Sequence, residues 1–317
     1  MEKFQNSLKE NSIIMYRIVN FAPFEKKENY LLNKLYDVTI LIKTLERPEQ
    51  LINLLGSIRK YKFEGPIVIA DDSKQSYKEK ILQLFPDLKI TYLVIPFDSG
   101  TAEGRNQMLA KTHTTFFVLC DDDFIFEPRT RIPWMRKVLL ENNLDILGGV
   151  FRQYNLKSRI QKLKFKISKW FIKFNLLVPS TGIYEYFANF EIEGNECKMK
   201  KVVYQDPYTI CDLVHNFFIA RTEKVKMFGG WNATLKGGEH HNFFIRAKLN
   251  GLKVATTRHC GVVHDRWSKP SELYKQLRDR GLEYQDIALE EFGIDQMVDY
   301  KKVMGEQFGT RKLNKTA

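Results

Sequence analysis

The sequence predicts an α/β fold, a mixed and mostly parallel sheet flanked by helices in a single domain with a helical C-terminal tail. Apolar, β-branched runs alternate with amphipathic stretches from residue 37 onward. The first four runs are separated by segments long enough to hold a helix, the connection that parallel strands need. The runs themselves are nearly unbroken apolar text, as strands covered on both faces should be.

The elements follow in order. Residues 1–36 are mixed and lysine-rich and read as an N-terminal extension. "DVTILIKT" (37–44) is bounded by charge and reads as a strand. In "RPEQLINLLGSIRKY", Leu51, Leu54, Leu55 and Ile58 fall at helical spacing, and Pro48 suits a first turn. "GPIVIADDS" (65–73), "KITYLVIPF" (89–97) and "TTFFVLCDDD" (114–123) are the next strands. "SYKEKILQLF" (76–85) and "TAEGRNQMLAKT" (101–112) are the helices between them. After "DILGGV" (145–150) the rhythm changes. Arg152 to Lys173 holds eight basic residues and no acidic one, and a weakly patterned region runs on to about Ile210. "HNFFIARTEKV" (215–225) reads as a strand or helix entry. "GGWNATLKGGEHHNFFIRAKLNGLKVA" (229–255) reads as a glycine-rich loop, a helix from near Glu239 and a strand. The expected organisation is thus one domain over 37–265, with halves 37–150 and 151–265, and a helical tail over 266–317.

Composition narrows the function. At 317 residues with 44% hydrophobic and 13% aromatic content, the chain can bury a sizeable core and is not a disordered one. Its net charge of +12, from 50 basic and 38 acidic side chains, suggests an anionic partner. Cys120, Cys197, Cys211 and Cys260 form no CxxC pair, so neither a zinc site nor a disulfide framework is expected, and a reducing cytoplasmic setting fits them. No apolar run reaches the ~18 residues that span a bilayer, and Arg17 interrupts the short apolar patch near the N-terminus. A soluble or peripherally attached protein is expected.

Carboxylates mark the site. Thr44, Asp71, Asp72 and the run Asp121, Asp122 and Asp123 all fall at strand carboxyl ends, the edge at which such sheets bind ligands. Adjacent unpaired carboxylates repel one another and are costly to desolvate. A hard divalent cation relieves both problems and suits a metal–diphosphate clamp. The plainer alternative is a solvated turn whose aspartates cap a helix.

"DVTILIKTLERPEQLINLLGSIRKY", "IVIADDS", "IPFDSGTAEGRNQML", "FFVLCDDDFIF", "LDILGG", "HNFFIARTEKV" and "GGEHHNFF" appear in the order found in GT-A glycosyltransferases. Over roughly 37–265 the chain resembles the β-1,4-N-acetylgalactosaminyltransferase family and the related family 2 transferases. The resemblance implies a GT-A, Rossmann-like fold and inverting transfer of a hexose from a UDP-sugar with Mn²⁺ or Mg²⁺. It places Thr44 and Arg47 beside the nucleotide base, Asp71 or Asp72 on the uracil or ribose, and Gly104 and Arg105 by the nucleotide and its phosphates. Asp121 and Asp123 match the DxD motif, with Asp123 the direct metal ligand and Asp121 nearer the ribose; Asp122 can exchange roles with either. Glu239, after two glycines, matches the acidic residue that serves as general base. His264 in "GVVHDRW" is a further metal or diphosphate ligand, or ordinary hydrogen-bonded structure. Arg266 and Lys269 are candidates to neutralise diphosphate, and Trp231 either stacks on a sugar or packs in the core. His240 and His241 cannot both face the acceptor.

Animal members of this family carry a transmembrane anchor and work in the Golgi lumen. Here the composition leads to the expectation of a cytoplasmic enzyme of microbial or viral origin. Its acceptor would be a glycan or a lipid-linked one, reached through peripheral membrane contact by "KSRIQKLKFKISKWFIKF" (157–174). That stretch reads equally as a solvated basic face. No nucleic-acid partner is expected, because carboxylates rather than basic groups line the cleft. A sugar nucleotidyltransferase is disfavoured, because "KTLERPEQ" stands where such enzymes carry a glycine-rich phosphate loop.

Overall fold

A computed structural model describes residues 35–153, 182–265, 271–279, 281–298 and 311–312. The first half is the expected alternation: β1 (Val38–Thr44), α1 (Pro48–Lys60), β2 (Ile67–Asp71), α2 (Lys78–Leu84), β3 (Ile90–Val94), α3 (Thr101–Ala110) and β4 (Phe116–Asp121). A short β5 (Phe124–Ile125), α4 (Ile132–Glu141), β6 (Ile146–Gln153) and β7 (Gly182–Tyr184) follow. Next come β8 (Ala188–Glu193), β9 (Glu196–Lys201), β10 (Thr209–Ile210), β11 (Phe218–Arg221), α5 (Thr222–Met227), α6 (Glu239–Leu249) and β12 (Val254–His264). The chain ends in α7 (Glu272–Asp279), α8 (Gly281–Glu290), β13 (Gln296–Val298) and β14 (Arg311–Lys312).

The main sheet runs β10-β12-β6-β11-β4-β1-β2-β3, with β5 on β12 and β7 on β6. β4, β1, β2 and β3 are parallel, and β11 enters antiparallel between β4 and β6. Side chains alternate across a strand, and here the two sets enter two separate cores. Ile40 and Ile42 of β1 join Leu51, Leu54 and Met135, from α1 and α4, on one face. Leu41 joins Met108, Phe243 and Phe244, from α3 and α6, on the other. Helices on both faces explain why the strand text is nearly all apolar.

A second sheet, β14-β13-β9-β8, departs from the sequence reading. The weakly patterned region contains a hairpin in which Glu193 pairs with Glu196 across a two-residue Gly194–Asn195 loop. The tail is not helical throughout: β13 pairs in parallel with β9, Met297 opposite Cys197, and both residues are buried. Three-residue strands are too short for a periodic signal. Residues 1–34, the basic run 157–174, Arg266 and Lys269 lie outside the described residues.

Candidate active site

The parallel strands end at one edge, and their last residues set the site. Thr44 and Asp71 are register partners, as are Lys43 and Asp121, so three strands deliver their termini together. A cavity of about 610 Å³ opens there. It is lined by Lys43, Thr44, Arg47, Asp72, Asp98, Arg105, the three aspartates after β4, Asn216, Lys236, Glu239 and His264. Tyr274, Leu277, Arg278 and Asp279 of α7 and Tyr284 of α8 also line it.

The triple carboxylate is met by two arginines. Arg47 lies 2.9 Å from Asp122 and 2.7 Å from Asp123, and it is itself buried. Arg105 reaches Asp121 at 3.3 Å with one amino group and Glu239 at 2.5 Å with the other. The three aspartates nevertheless differ. Asp122 is saturated: Thr44 Oγ1 donates to Oδ2 at 2.8 Å, and Arg47 holds Oδ1. Burial is its largest influence and raises it to about 7, against the pull of Arg47. Asp121 is also pushed up by burial, with Arg105 opposing, and Asn216 donates to its Oδ2 at 3.3 Å. Burial acts against ionised Asp123 as well. There the hydrogen bond from His264, at 3.0 Å, and the charge of Arg47 outweigh it, and the group falls to about 2. Both contacts use Oδ2, so Oδ1 of Asp123 has no hydrogen-bond partner among the described residues.

That asymmetry bears on a metal. Among the described residues no group of three or more His, Cys, Asp or Glu side chains is arranged to hold an ion. Mg²⁺ and Mn²⁺ do not require one, because one or two carboxylates plus substrate phosphates and water complete their shells. An ionised carboxylate with an uncommitted oxygen beside an imidazole is donor chemistry that suits such a cation. The residues present fit it.

Glu239 begins α6 directly after Gly238, whose φ of 68° is the left-handed conformation that lets the chain turn sharply into the helix. Arg105 holds Oε1, and Oε2 carries no hydrogen bond among the described residues. A carboxylate fixed by one oxygen and open at the other is arranged to accept a proton.

Other expected residues sit elsewhere. Asp71 is fully buried and spends its carboxylate on Ser73 N, Tyr77 N and the Tyr92 hydroxyl, at 2.9, 3.2 and 2.7 Å. It builds the turn after β2, whereas Asp72 faces the cavity, ion-paired to Lys43. Gly104 does not line the cavity; a Cβ there would meet the methylenes of Lys43, so the glycine clears a path for that lysine. Trp231 is a core residue, stacked on Phe243 with centroids 4.5 Å apart. His241 meets the Tyr186 hydroxyl at 2.6 Å, while burial drives His240 well below the usual imidazole range. Neither lines the cavity. Lys43, Asp98, Asn216, Lys236, Tyr274 and Arg278 were not anticipated. Lys43 left a trace, as the one charge inside the apolar run "VTILIKT".

Residues 39–226 match the model of glycosyl transferase family 2. The chain is a member of that family. This glycosyltransferase-family chain is 30% identical over 253 residues to rat β-1,4 N-acetylgalactosaminyltransferase 1, covering 77% of its own length and 43% of the rat protein. Mouse β-1,4 N-acetylgalactosaminyltransferase 2 is 30% identical over 211 residues, 66% of this chain and 35% of that one. The family member thus spans less than half the length of these curated relatives. Among solved structures, S. aureus TarS residues 1–349 superposes with a TM-score of 0.50 at 18% identity, over 80% of this chain and 70% of that one. The Pyrobaculum calidifontis mannosyltransferase PcManGT, in complex with GDP-Man and Mn²⁺, gives 0.51 at 15%, over 80% and 64%. These superpositions establish the GT-A fold for the family 2 chain. Among its described residues no helix is long and apolar enough to cross a membrane.

Proposed function

We propose that the protein transfers a hexose, with inversion, from a UDP-sugar to a hydroxyl of a glycan or lipid-linked acceptor, in a metal-dependent reaction. The observation that carries this is the pairing of two carboxylates across Arg105. The two are Asp121, at 3.3 Å, and Glu239, held by one oxygen only at 2.5 Å, while Asp123, two residues on from Asp121, keeps a free oxygen beside Arg47 and His264. Asp123 and His264, with Asp121 beside them, would hold Mn²⁺ or Mg²⁺, which when bound neutralises charge on a leaving diphosphate. Glu239 Oε2 takes the acceptor hydroxyl's proton as that oxygen attacks the anomeric carbon. The bond from the anomeric carbon to the diphosphate oxygen breaks on the opposite face, and UDP departs. Arg105 keeps Glu239 aimed, and Asp72 with Lys43 forms the polar edge towards the nucleoside.

The curated relatives are named as N-acetylgalactosaminyltransferases. A structure of TarS with UDP-GlcNAc superposes with a TM-score of 0.50 over 80% of the chain. These names support UDP-GalNAc as the first donor to try. The test is hydrolysis of UDP-GalNAc, UDP-GlcNAc, UDP-Gal, UDP-Glc and UDP-GlcA with Mn²⁺. One donor should be cleaved well above the others, and no cleavage of any, by protein that binds none of them, defeats the reading.

A further inference from the structure

We propose that Arg278, carried by α7, grips the phosphoryl oxygens of the donor's diphosphate, and that Tyr274 positions it. The inference rests on the nucleotide-sugar reading above. Five cations line the cavity: Lys43, Arg47, Arg105, Lys236 and Arg278. The first four are each tied to a carboxylate, Lys236 to Asp98 at 3.0 Å. Arg278 alone among them makes no ion pair or hydrogen bond among the described residues, and it is exposed at the cavity wall. A guanidinium forks onto two oxyanions, which makes it the side chain suited to a diphosphate.

Its placement follows from a contact between its helix and Arg47. α7 has no buried residue. It is anchored where Arg47 Nη1 donates to the Tyr274 hydroxyl at 3.0 Å, with the guanidinium 4.7 Å from the ring centroid. Residues four apart share a helix face, so the docking of Tyr274 directs Arg278 into the same cavity. The matched family region ends at residue 226, well before α7. This wall of the site is therefore not part of what the family match describes.

The experiment titrates UDP and uridine into the full-length protein with Mn²⁺ present. Wild type, R278Q and R278K are compared, and unliganded melting temperatures confirm folding. Loss of charge-assisted hydrogen bonds should raise the UDP Kd by about 10- to 100-fold in R278Q, leave uridine unchanged, and give an intermediate value in R278K. Undiminished UDP affinity in R278Q, or an equal loss for uridine, overturns the proposal. Wild-type protein that binds no UDP overturns the nucleotide-sugar reading and this inference together. For Tyr274, Y274A should weaken UDP binding in the wild type but not further in R278Q. Equal losses in both backgrounds would remove its positioning role.

Discussion

At the scale of single residues the acidic run separates into unlike members. Asp122 has both oxygens committed to Thr44 and Arg47, whereas Asp123 keeps one in reserve. D123N should therefore abolish Mn²⁺-dependent UDP binding, read by calorimetry, while D122N, whose amide oxygen can still accept from Arg47, should bind UDP. If the two variants lose UDP equally, the division of labour is refuted. Glu239 gives a second prediction. E239Q keeps an oxygen for Arg105 but cannot take a proton, so kcat should fall about 10²- to 10⁴-fold with UDP affinity retained. A normal rate would exclude Glu239 as the base.

Secondary-structure elements show what a sequence can and cannot reveal. β1 to β4 and α1 to α3 were legible because their apolar spacing is local, and Asp123, Arg105 and Glu239 were legible from short motifs beside them. What was hidden depends on distant partners. Arg47 meets Tyr274 across 227 positions, and no pattern near either residue announces it. The tail strands were missed because they are three and two residues long. The β8–β9 hairpin was legible in principle from Gly194–Asn195 between alternating runs. Asp71 and Asp72 were indistinguishable as neighbours in sequence, and only the alternation of the chain after β2 sends one into the core and the other to the cavity. Gly100 is where two elements of the site touch. Its φ is 94°, its N–H donates to Asp72 at 3.0 Å, and a Cβ would come 2.5 Å from the Lys236 Cα. G100A must strain the entry to α3 or push away the loop before α6. It should lower stability by about 1–3 kcal/mol, read by denaturant titration, and weaken UDP binding through Asp72. Unchanged stability would mean that the loops separate freely.

For the molecule as a whole, the balance of charge at the cavity decides how it meets its substrate. The chain is basic overall, at +12. The cavity is not: Asp72, Asp98, Asp121, Asp122, Asp123, Glu239 and Asp279 are seven carboxylates against the five Lys and Arg cations, a formal excess of two negative charges. A nucleoside diphosphate entering this space adds further negative charge in a partly buried setting, where screening is weak. A divalent cation offsets that excess. UDP alone should then leave the melting temperature nearly unchanged, and UDP with Mn²⁺ should raise it. Ligand at 100 times its Kd stabilises the folded state by about 2.7 kcal/mol, which corresponds to several degrees for a domain of this size. EDTA should return the curve to that of the free protein, and D123N should show no response at any Mn²⁺ concentration. An equal rise with UDP in EDTA would show that the arginines alone satisfy the diphosphate. The acidic run would then serve only to hold Arg47 and Arg105 in place.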